Sequence, residues 1–414
     1  MSNGGTRMAG PLAGLKVLDL SRVLAGPWAA QILGDLGAHV FKIEPPGQGD
    51  DTRHWGPPFL EDGSHDSAYY LCTNRNKRSV AIDLAQPEGA AIVQRLAGQC
   101  DVLLENFRVG GLVKYGLDYP ALSARHPGLI YCSITGFGQT GPYRERGGYD
   151  FLIQGMSGLM SVTGRPDGQP GEGPLKVGIP TSDLSTGMYA AISILAALRH
   201  REATGRGQHI DCALLDSQVA LLANQASNFL NGGRVPCRLG NEHPNMVPYQ
   251  DFDTVDGTVL VALGNNRQFR DFCALLGRED LARDERFVDT ASRSVNRSPL
   301  QTELRAELAK WHSAELLARM EAAKLPGGRV NEIPEILADP QINARELIRT
   351  LHREDGTTVR VLGFPGKFSA TPASYRHAPP RLGQHTTEVL RDVAGLSAEE
   401  IESLADRGIV GSNG

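Results

Sequence analysis

The chain has 414 residues, a length that predicts two or three domains with ample core. Its 42 Lys and Arg residues are outnumbered by 47 Asp and Glu residues, and both signs are interspersed, which argues against a nucleic-acid-binding surface. A hydrophobic content of 41% excludes intrinsic disorder for most of the chain. The six cysteines lie far apart without zinc-ligand spacing, so we expect reduced thiols and no metal site. Without a signal-peptide pattern or a long apolar run, we expect a cytoplasmic protein that contacts no membrane.

The amino-terminal part alternates predicted strands and helices. Apolar runs predict strands at residues 16–20, 38–43, 79–84, 102–105 and 129–134, and apolar periodicity predicts helices at 28–36 and 87–97. This alternation is typical of a parallel sheet covered by helices, so the predicted fold class is α/β.

The composition changes after Gly147. A glycine-rich stretch precedes a predicted long helix over 184–201, a strand at 210–213 and a second helix over 215–230. From 231 to about 332, a polar loop, a hairpin around Asp256-Gly257 and charged helices over 268–276 and 300–325 indicate a second domain. Short strands and a final helix pair follow.

The segment Gly136–Gly141 matches G-x-G-x-x-G after a predicted strand. Pro142 and Gly147-Gly148 prevent a long helix from starting there, and the acidic residue of a dinucleotide site is missing. A glycine-rich loop beside a ligand is therefore favoured over a nicotinamide site, and a dehydrogenase is the disfavoured alternative.

Asp183 lies immediately before the most apolar predicted helix. That position is typical of an N-cap. A helix N-terminus also favours a carboxylate and would keep it ionised and aimed. Capping and catalysis are compatible, and both stay open at this point.

Other polar residues are candidates for ligand contact. The turn Glu105–Arg108 follows a predicted strand end, where ligands of open α/β sheets collect, although a loop with a solvated arginine also fits. Lys114, Arg144 and Arg146 offer positive charge for phosphates, or are simply solvated. His243 lies in a polar loop and is a candidate substrate contact.

The chain contains, in this order, the motifs Lys42-Ile-Glu-Pro45, Glu105-Asn-Phe107, Gly136-Phe-Gly-Gln-Thr-Gly-Pro142, Asp183-Leu-Ser-Thr-Gly187 and Leu382-Gly-Gln-His-Thr386. Taken together, these and further motifs resemble the family III coenzyme A transferases. The resemblance covers about residues 11 to 410. It implies a large Rossmann-like parallel-sheet domain and a smaller α+β domain, in ring-shaped chains interlocked as a homodimer.

The resemblance and the composition breaks together predict the domain boundaries. We expect a large CoA-binding domain over 1–200, a linker helix over 201–225, a small domain over 226–333 and a return to the large domain over 334–414.

The resemblance also implies roles for individual residues. Asp183 falls at the family's nucleophilic aspartate. Coenzyme contacts are implied at Val23, Leu24, Ile82, Leu84, Asn106, Phe107, Arg108, Lys114 and Tyr149. No cofactor is bound permanently, because coenzyme A and acyl-CoA are substrates. Leu24 and Pro45 depart from the glutamine and arginine of formyl-CoA transferases, which argues against oxalate and formate as substrates.

The loop Arg238–Gln250 resembles the branch of succinyl-CoA:glutarate and related dicarboxylate transferases. Its Arg238, Asn241, His243 and Asn245 are predicted to receive a distal carboxylate by charge-assisted hydrogen bonds. The predicted reaction moves CoA from an acyl-CoA, such as succinyl-CoA, to a free dicarboxylate, such as glutarate. It passes through an aspartyl anhydride and an aspartyl-CoA thioester.

Two alternatives keep the same fold. A 2-methylacyl-CoA racemase of the superfamily needs a second acid–base group, a histidine in a Gly-His-Asp sequence, and here that segment is Gly148-Tyr149-Asp150. A non-catalytic acyl-CoA binder is the other alternative, and Asp183 in its full sequence setting disfavours it.

Overall fold

The computed structural model describes residues 10–411, which divide into two compact units. The first unit comprises the described residues up to Leu159, Val177–Leu222 and Gln341 onwards, and the second comprises Met160–Lys176 and Ala223–Pro340. Residues 160–176 therefore group with the second unit, whereas the sequence assigned them to the large domain.

The chain up to residue 156 alternates strands and helices as predicted. Its elements are β1 (Lys16–Asp19), α1 (Ala25–Asp35), β2 (His39–Glu44), α2 (Ala68–Leu71), β3 (Lys77–Ala81), α3 (Pro87–Ala97), β4 (Val102–Glu105), α4 (Tyr119–Arg125), β5 (Ile130–Thr135) and α5 (Asp150–Met156). Short 3₁₀ helices occupy Asp51–His54 and Val113–Tyr115.

The middle of the chain continues with α6 (Leu159–Val162), β6 (Gly164–Arg165), β7 (Gly173–Pro174), α7 (Thr181–Thr204), β8 (His209–Ala213), α8 (Leu214–Ala220) and α9 (Ala223–Gly232). Then follow β9 (Tyr249–Asp253), β10 (Thr258–Ala262), α10 (Asn266–Leu275), α11 (Glu279–Arg283), α12 (Thr290–Val295), α13 (Arg297–Leu308), α14 (Ser313–Ala322) and β11 (Gly327–Gly328). The last elements are α15 (Ile333–Ala338), α16 (Pro340–Ala344), β12 (Ile348–His352), β13 (Thr358–Leu362), α17 (Thr386–Asp392) and α18 (Ala398–Asp406).

A six-stranded parallel sheet forms the centre of the first unit, in the order β3-β2-β1-β4-β5-β8. Neighbouring residues of a strand face opposite sides, so Val17 packs into one apolar core and Leu18 into another. Both faces are buried, as expected for parallel strands covered by helices. This confirms the predicted α/β class. The strand order reverses between β1 and β4, and ligands of such sheets bind beyond the strand ends at that point.

The carboxyl-terminal tail completes the first unit. Val389, Leu390 and Ile401 belong to the same core as Leu18. Beyond β3, the Asp83 N–H donates to the Ile409 carbonyl at 2.8 Å. The two ends of the described chain are thus parts of one core.

Three helix predictions are wrong. The single helix predicted over 215–230 is two helices, α8 and α9. The linker helix predicted over 201–225 does not exist, because α7 ends with Gly205 in the left-handed conformation (φ 73°) and β8 then joins the sheet edge. The single helix predicted over 300–325 is two helices, α13 and α14. Asp256 of the hairpin turn accepts the Ser313 N–H at 2.8 Å and so stabilises a new helix start.

The second unit has its own core. Its three-stranded antiparallel sheet has the order β11-β10-β9, and β9 and β10 form the predicted hairpin. Phe252, Phe269, Phe272 and Phe287 lie in one apolar cluster with residues of α13 and α14. Within residues 10–411, no helix is long and apolar enough to cross a membrane.

Candidate active site

A cavity of about 570 Å³ lies in the first unit beyond the carboxyl ends of β1, β4 and β5. Its walls include the predicted site residues Val23, Leu24, Asn106, Phe107, Arg108, Lys114, Tyr149 and Asp183, and also Arg144 and Arg146. Sequence reasoning missed Arg22 and Asp51, which also line it. The position of Arg22 just after β1, where the strand order reverses, was the signal that could have pointed to it.

Asp183 is the third residue of α7, so the N-cap interpretation is wrong. The cap residue is Pro180, which has no side-chain acceptor for the helix start. The Asp183 carboxylate is partly buried, and no hydrogen bond to it from the rest of residues 10–411 is present. Its oxygens are therefore open to a ligand in the cavity.

The surroundings of Asp183 disfavour its ionised form. Burial raises the pKa of the carboxyl from 3.8, and the negative charge of Asp150 raises it further, to about 7. Both effects oppose the stabilisation of a carboxylate that is expected at the start of a helix. A carboxylate of higher pKa is a stronger base and nucleophile, which suits a reacting group.

The start of α7 is fixed by side chains from two other helices. Asp150 of α5 accepts the Ser182 N–H at 2.8 Å and the Gln154 amide at 2.6 Å. Gln218 of α8 accepts the Ser182 hydroxyl at 3.0 Å. The residue before Asp183 is therefore held through both its backbone and its side chain.

Close packing against α1 fixes the next turn of α7. A Cβ atom on Gly187 would lie 2.6 Å from the Ala25 carbonyl oxygen, so only glycine permits this approach. Ala25 lines the cavity beside Leu24. The contact thus sets the distance between the loop before α1 and the turn that carries Asp183.

The cavity has an excess of positive charge. Arg22 pairs with Asp51 at 3.3 Å and Arg144 pairs with Glu145 at 3.3 Å, both near the surface. No carboxylate in the described part of the chain pairs with Arg108, Lys114 or Arg146. Arg146 instead lies over the Phe137 and Tyr143 rings, at 5.4 and 4.7 Å from the centroids. Cations without a carboxylate partner are suited to binding phosphates.

The turn after β4 is held by its own side chains. Asn106 accepts the Arg22 N–H at 2.9 Å and donates to the Arg22 carbonyl at 2.7 Å. Glu105 accepts the Phe107 N–H at 2.8 Å. Burial raises the pKa of Glu105 to about 7, partly offset by its hydrogen bond to Ser133. Asn106 therefore ties this turn to the loop after β1.

Ile82 and Leu84 are not brought to the cavity. Ile82 is 1% exposed, belongs to the apolar core and pairs with Val410 of the tail. Leu84 packs against the same core. The Ile82 side chain is therefore closed to a ligand, because the tail covers it, and the predicted coenzyme contacts of Ile82 and Leu84 stay predictions.

The four predicted substrate residues lie in the second unit. Arg238 forms an ion pair with Asp167. His243 accepts the backbone N–H groups of Asn245 and Met246 through Nδ1, at 3.0 and 3.1 Å. Burial lowers the pKa of His243, and Arg297 lowers it further, so the cationic form of this ring is disfavoured.

The two predicted amides differ in their surroundings. The Asn245 amide exchanges hydrogen bonds with Asn228 at 3.1 and 3.3 Å. Asn241 is exposed, and no side-chain hydrogen bond to it is present within residues 10–411. The Asn241 side chain is therefore open to a ligand.

Comparison with known proteins gives a consistent result. The model of CoA-transferase family III matches residues 12–386. A succinate–glutarate CoA-transferase of Agrobacterium fabrum is 50% identical over 92% of this chain and 96% of its own length. The human succinyl-CoA:glutarate CoA-transferase is 41% identical over 97% of this chain and 90% of its own length. The crystal structure of a CaiB/BaiF family protein from Brucella suis is similar with a TM-score of 0.81 and 46% identity, covering 93% of this chain and 100% of that one. The chain therefore belongs to CoA-transferase family III.

Proposed function

We propose that the protein transfers CoA from succinyl-CoA to glutarate, with Asp183 as the nucleophile. The observation that carries this proposal is an aspartate of raised pKa that opens into the same cavity as three cations without a carboxylate partner. Coenzyme A carries its phosphates at one end and its thioester at the other, so one cavity must offer both features. The names of the 50% and 41% identical relatives support this pair of acids.

The proposed chemistry needs no external energy source. An Asp183 oxygen attacks the succinyl thioester carbonyl, and the C–S bond breaks to give an anhydride and CoA thiolate. The thiolate attacks the aspartyl carbonyl, which forms aspartyl-CoA and releases succinate. A glutarate oxygen attacks aspartyl-CoA to give a second anhydride and thiolate. The thiolate then takes the glutaryl group, which restores the Asp183 carboxylate.

The walls of the cavity provide the supporting groups in this proposal. Arg108, Lys114 and Arg146 bind the phosphates of the coenzyme. The side chains of Val23, Leu24, Phe107 and Tyr149 contact its pantetheine arm. Backbone N–H groups near Gly136, where a Cβ would lie 2.6 Å from the Gly148 Cα, stabilise the oxyanions. That Arg238, Asn241, His243 and Asn245 receive a distal carboxylate stays a prediction.

We further propose that the chain acts as an interlocked homodimer. Large apolar side chains of the first unit are exposed, among them Phe151 at 62% on α5 and Ile192 at 60% on α7. Exposed apolar surface of this kind marks protein interfaces. Light scattering that gives the mass of one chain would contradict the dimer. A cytoplasmic location stays a prediction.

The decisive experiment is mass spectrometry of acyl-CoA products from succinyl-CoA and a panel of free acids. We expect glutaryl-CoA from the unmodified protein and none from Asp183→Asn. The matched control is Asp216→Asn, because Asp216 is also a first-turn helix carboxylate but is exposed and outside the cavity. Intact-protein mass should show bound CoA only when Asp183 is present. Full transfer by Asp183→Asn would contradict the mechanism, and deuterium uptake into a 2-methylacyl-CoA without transfer would favour the racemase alternative.

A further inference from the structure

The loop that joins β1 to α1 contains an unfavourable backbone conformation at the wall of the cavity. Val23 has φ of +69°, in the left-handed region. A β-branched residue rarely adopts that region, because its Cβ crowds the backbone. Val23 and Leu24 both line the cavity. Some other part of the protein must therefore hold this loop in place.

The buried ion pair between Lys42 and Asp50 holds the loop by hydrogen bonds to its backbone. Both Asp50 oxygens lie 3.3 Å from the Val23 backbone nitrogen, and the carboxylate accepts its N–H. The Lys42 ammonium donates to the Ser21 carbonyl at 2.9 Å and to Asp50 at 2.8 Å. The Lys42 and Asp50 side chains are both 0% exposed.

Further hydrogen bonds hold Asp50 of this ion pair in place. Asp50 Oδ1 accepts the Thr52 N–H at 3.0 Å and its hydroxyl at 2.8 Å, and the Asp50 N–H donates to Glu44 at 3.0 Å. Burial alone would raise the pKa of Asp50, but Lys42 lowers it to about 2. Asp50 is therefore held in place as a charged acceptor.

Asn106 also holds this loop, by hydrogen bonds to both the N–H and the carbonyl of Arg22. Ser21, Arg22 and Val23 each have a backbone group held by a buried or partly buried side chain. A buried ion pair is weak evidence for stability, because desolvation offsets its attraction. Its contacts here go to one functional loop, which indicates preorganisation of the site.

We propose that Asp50 and Lys42 are positioning residues that hold the Ser21–Val23 loop, and thereby the Val23 and Leu24 walls, in the shape that receives acyl-CoA. They act through the backbone and touch no reacting atom. This inference rests on the proposed function for its substrate, but it predicts an effect on coenzyme affinity even without turnover.

The test compares Asp50→Asn with the unmodified protein. Asparagine keeps the size of the side chain but removes the charge that binds Lys42 and Val23. We expect KM for succinyl-CoA and the Kd for CoA by calorimetry to rise about tenfold, with kcat per CoA-labelled active site changed less than about threefold. Lys42→Met, which leaves Asp50 to accept the Val23 N–H, should raise both constants in the same direction.

The matched control is Asp35→Asn, because Asp35 forms another buried ion pair in the same unit, with Arg75, and does not contact the loop. It should lower stability without changing Kd. A second comparison adds Val23→Gly, since glycine adopts positive φ freely. The effect of Asp50→Asn on Kd should shrink in the Val23→Gly background.

Three results would overturn the proposal: an unchanged Kd for Asp50→Asn, an equal rise for Asp35→Asn, or no shrinkage with Val23→Gly. Should Asp50→Asn fail to fold, the Kd of Lys42→Met decides instead, measured both with Val23 and with the Val23→Gly substitution. An unmodified protein that binds CoA but transfers none would refute the proposed function alone. The comparison of CoA affinities would still decide the positioning role.

Discussion

Replacing Asp183 by asparagine should make the unliganded protein more stable at pH 8. The folded state holds the Asp183 proton with a pKa of about 7, against an ordinary value of 3.8. Folding therefore takes up protons between these two values, and stability falls as pH rises through that window. Above about pH 7 the full cost of ionising a partly buried carboxylate beside Asp150 is present, and asparagine avoids it.

The size of the effect follows from the difference of roughly three pH units between the two pKa values. Each unit corresponds to roughly 1.4 kcal/mol, so Asp183→Asn should gain up to roughly 4 kcal/mol at pH 8 but only roughly 1.7 kcal/mol at pH 5. In differential scanning calorimetry this is a rise in Tm of up to roughly 8 °C at pH 8, at roughly 2 °C per kcal/mol.

The control is Asp216→Asn, which removes an exposed first-turn carboxylate and should leave Tm nearly unchanged at both pH values. Equal changes in Tm for Asp183→Asn at pH 5 and pH 8 would refute the reasoning, because they would show that the carboxylate is not destabilised by ionisation. The predicted rise in Tm would mean that the reactive Asp183 carboxylate in the cavity lowers the stability of the folded protein.

Three further outcomes are expected. The value of kcat/KM should fall about tenfold per pH unit below about pH 7, because Asp183 becomes protonated. Asp150→Asn should move this fall to lower pH by roughly one unit. A pH profile that does not move would contradict the influence of Asp150 on the pKa of Asp183. Gly187→Val should push α7 away from Ala25, which should lower the free energy of unfolding in urea by roughly 1–3 kcal/mol and remove most of the activity. An unchanged stability and activity would show that the two helices can separate freely. Arg146→Ala should weaken CoA binding in calorimetry by about tenfold and reduce its salt dependence, and an unchanged salt dependence would show that Arg146 binds no phosphate.

The sheet could be predicted closely because its strands are continuous apolar runs. β4 was predicted at its observed bounds, and β1 and β8 to within a residue, since strands buried on both faces leave a local signal. α3 was also predicted at its bounds, from its initial proline and its periodicity. The helix break before Ser313 was missed because its stabilising partner, Asp256, lies far away in sequence.

Site residues of a type with few structural uses could be predicted from the sequence, whereas features of the site that depend on contacts distant in sequence were missed. Asp183 was found from its motif, but its raised pKa depends on burial and on Asp150, which the sequence does not display. Lys42 and Glu44 alternate with apolar residues in β2 and would be expected to face water. Both are buried instead, because partners outside the strand neutralise them. The burial of Ile82 under the tail was also missed, since nothing local in the sequence shows it.

The union of residues from both ends of the described chain in one core affects when this unit can fold during synthesis. The ribosome delivers β1 to β8 early, but Val389, Leu390 and Ile401 of the same core emerge only after residues 223–340. Domains usually fold as units as they are synthesised, with the amino-terminal one first. Here residues 223–340 of the second unit are complete while the first unit still lacks part of its interior. The nascent first unit therefore keeps apolar surface exposed, and its core can close only after residues 223–340 have been made.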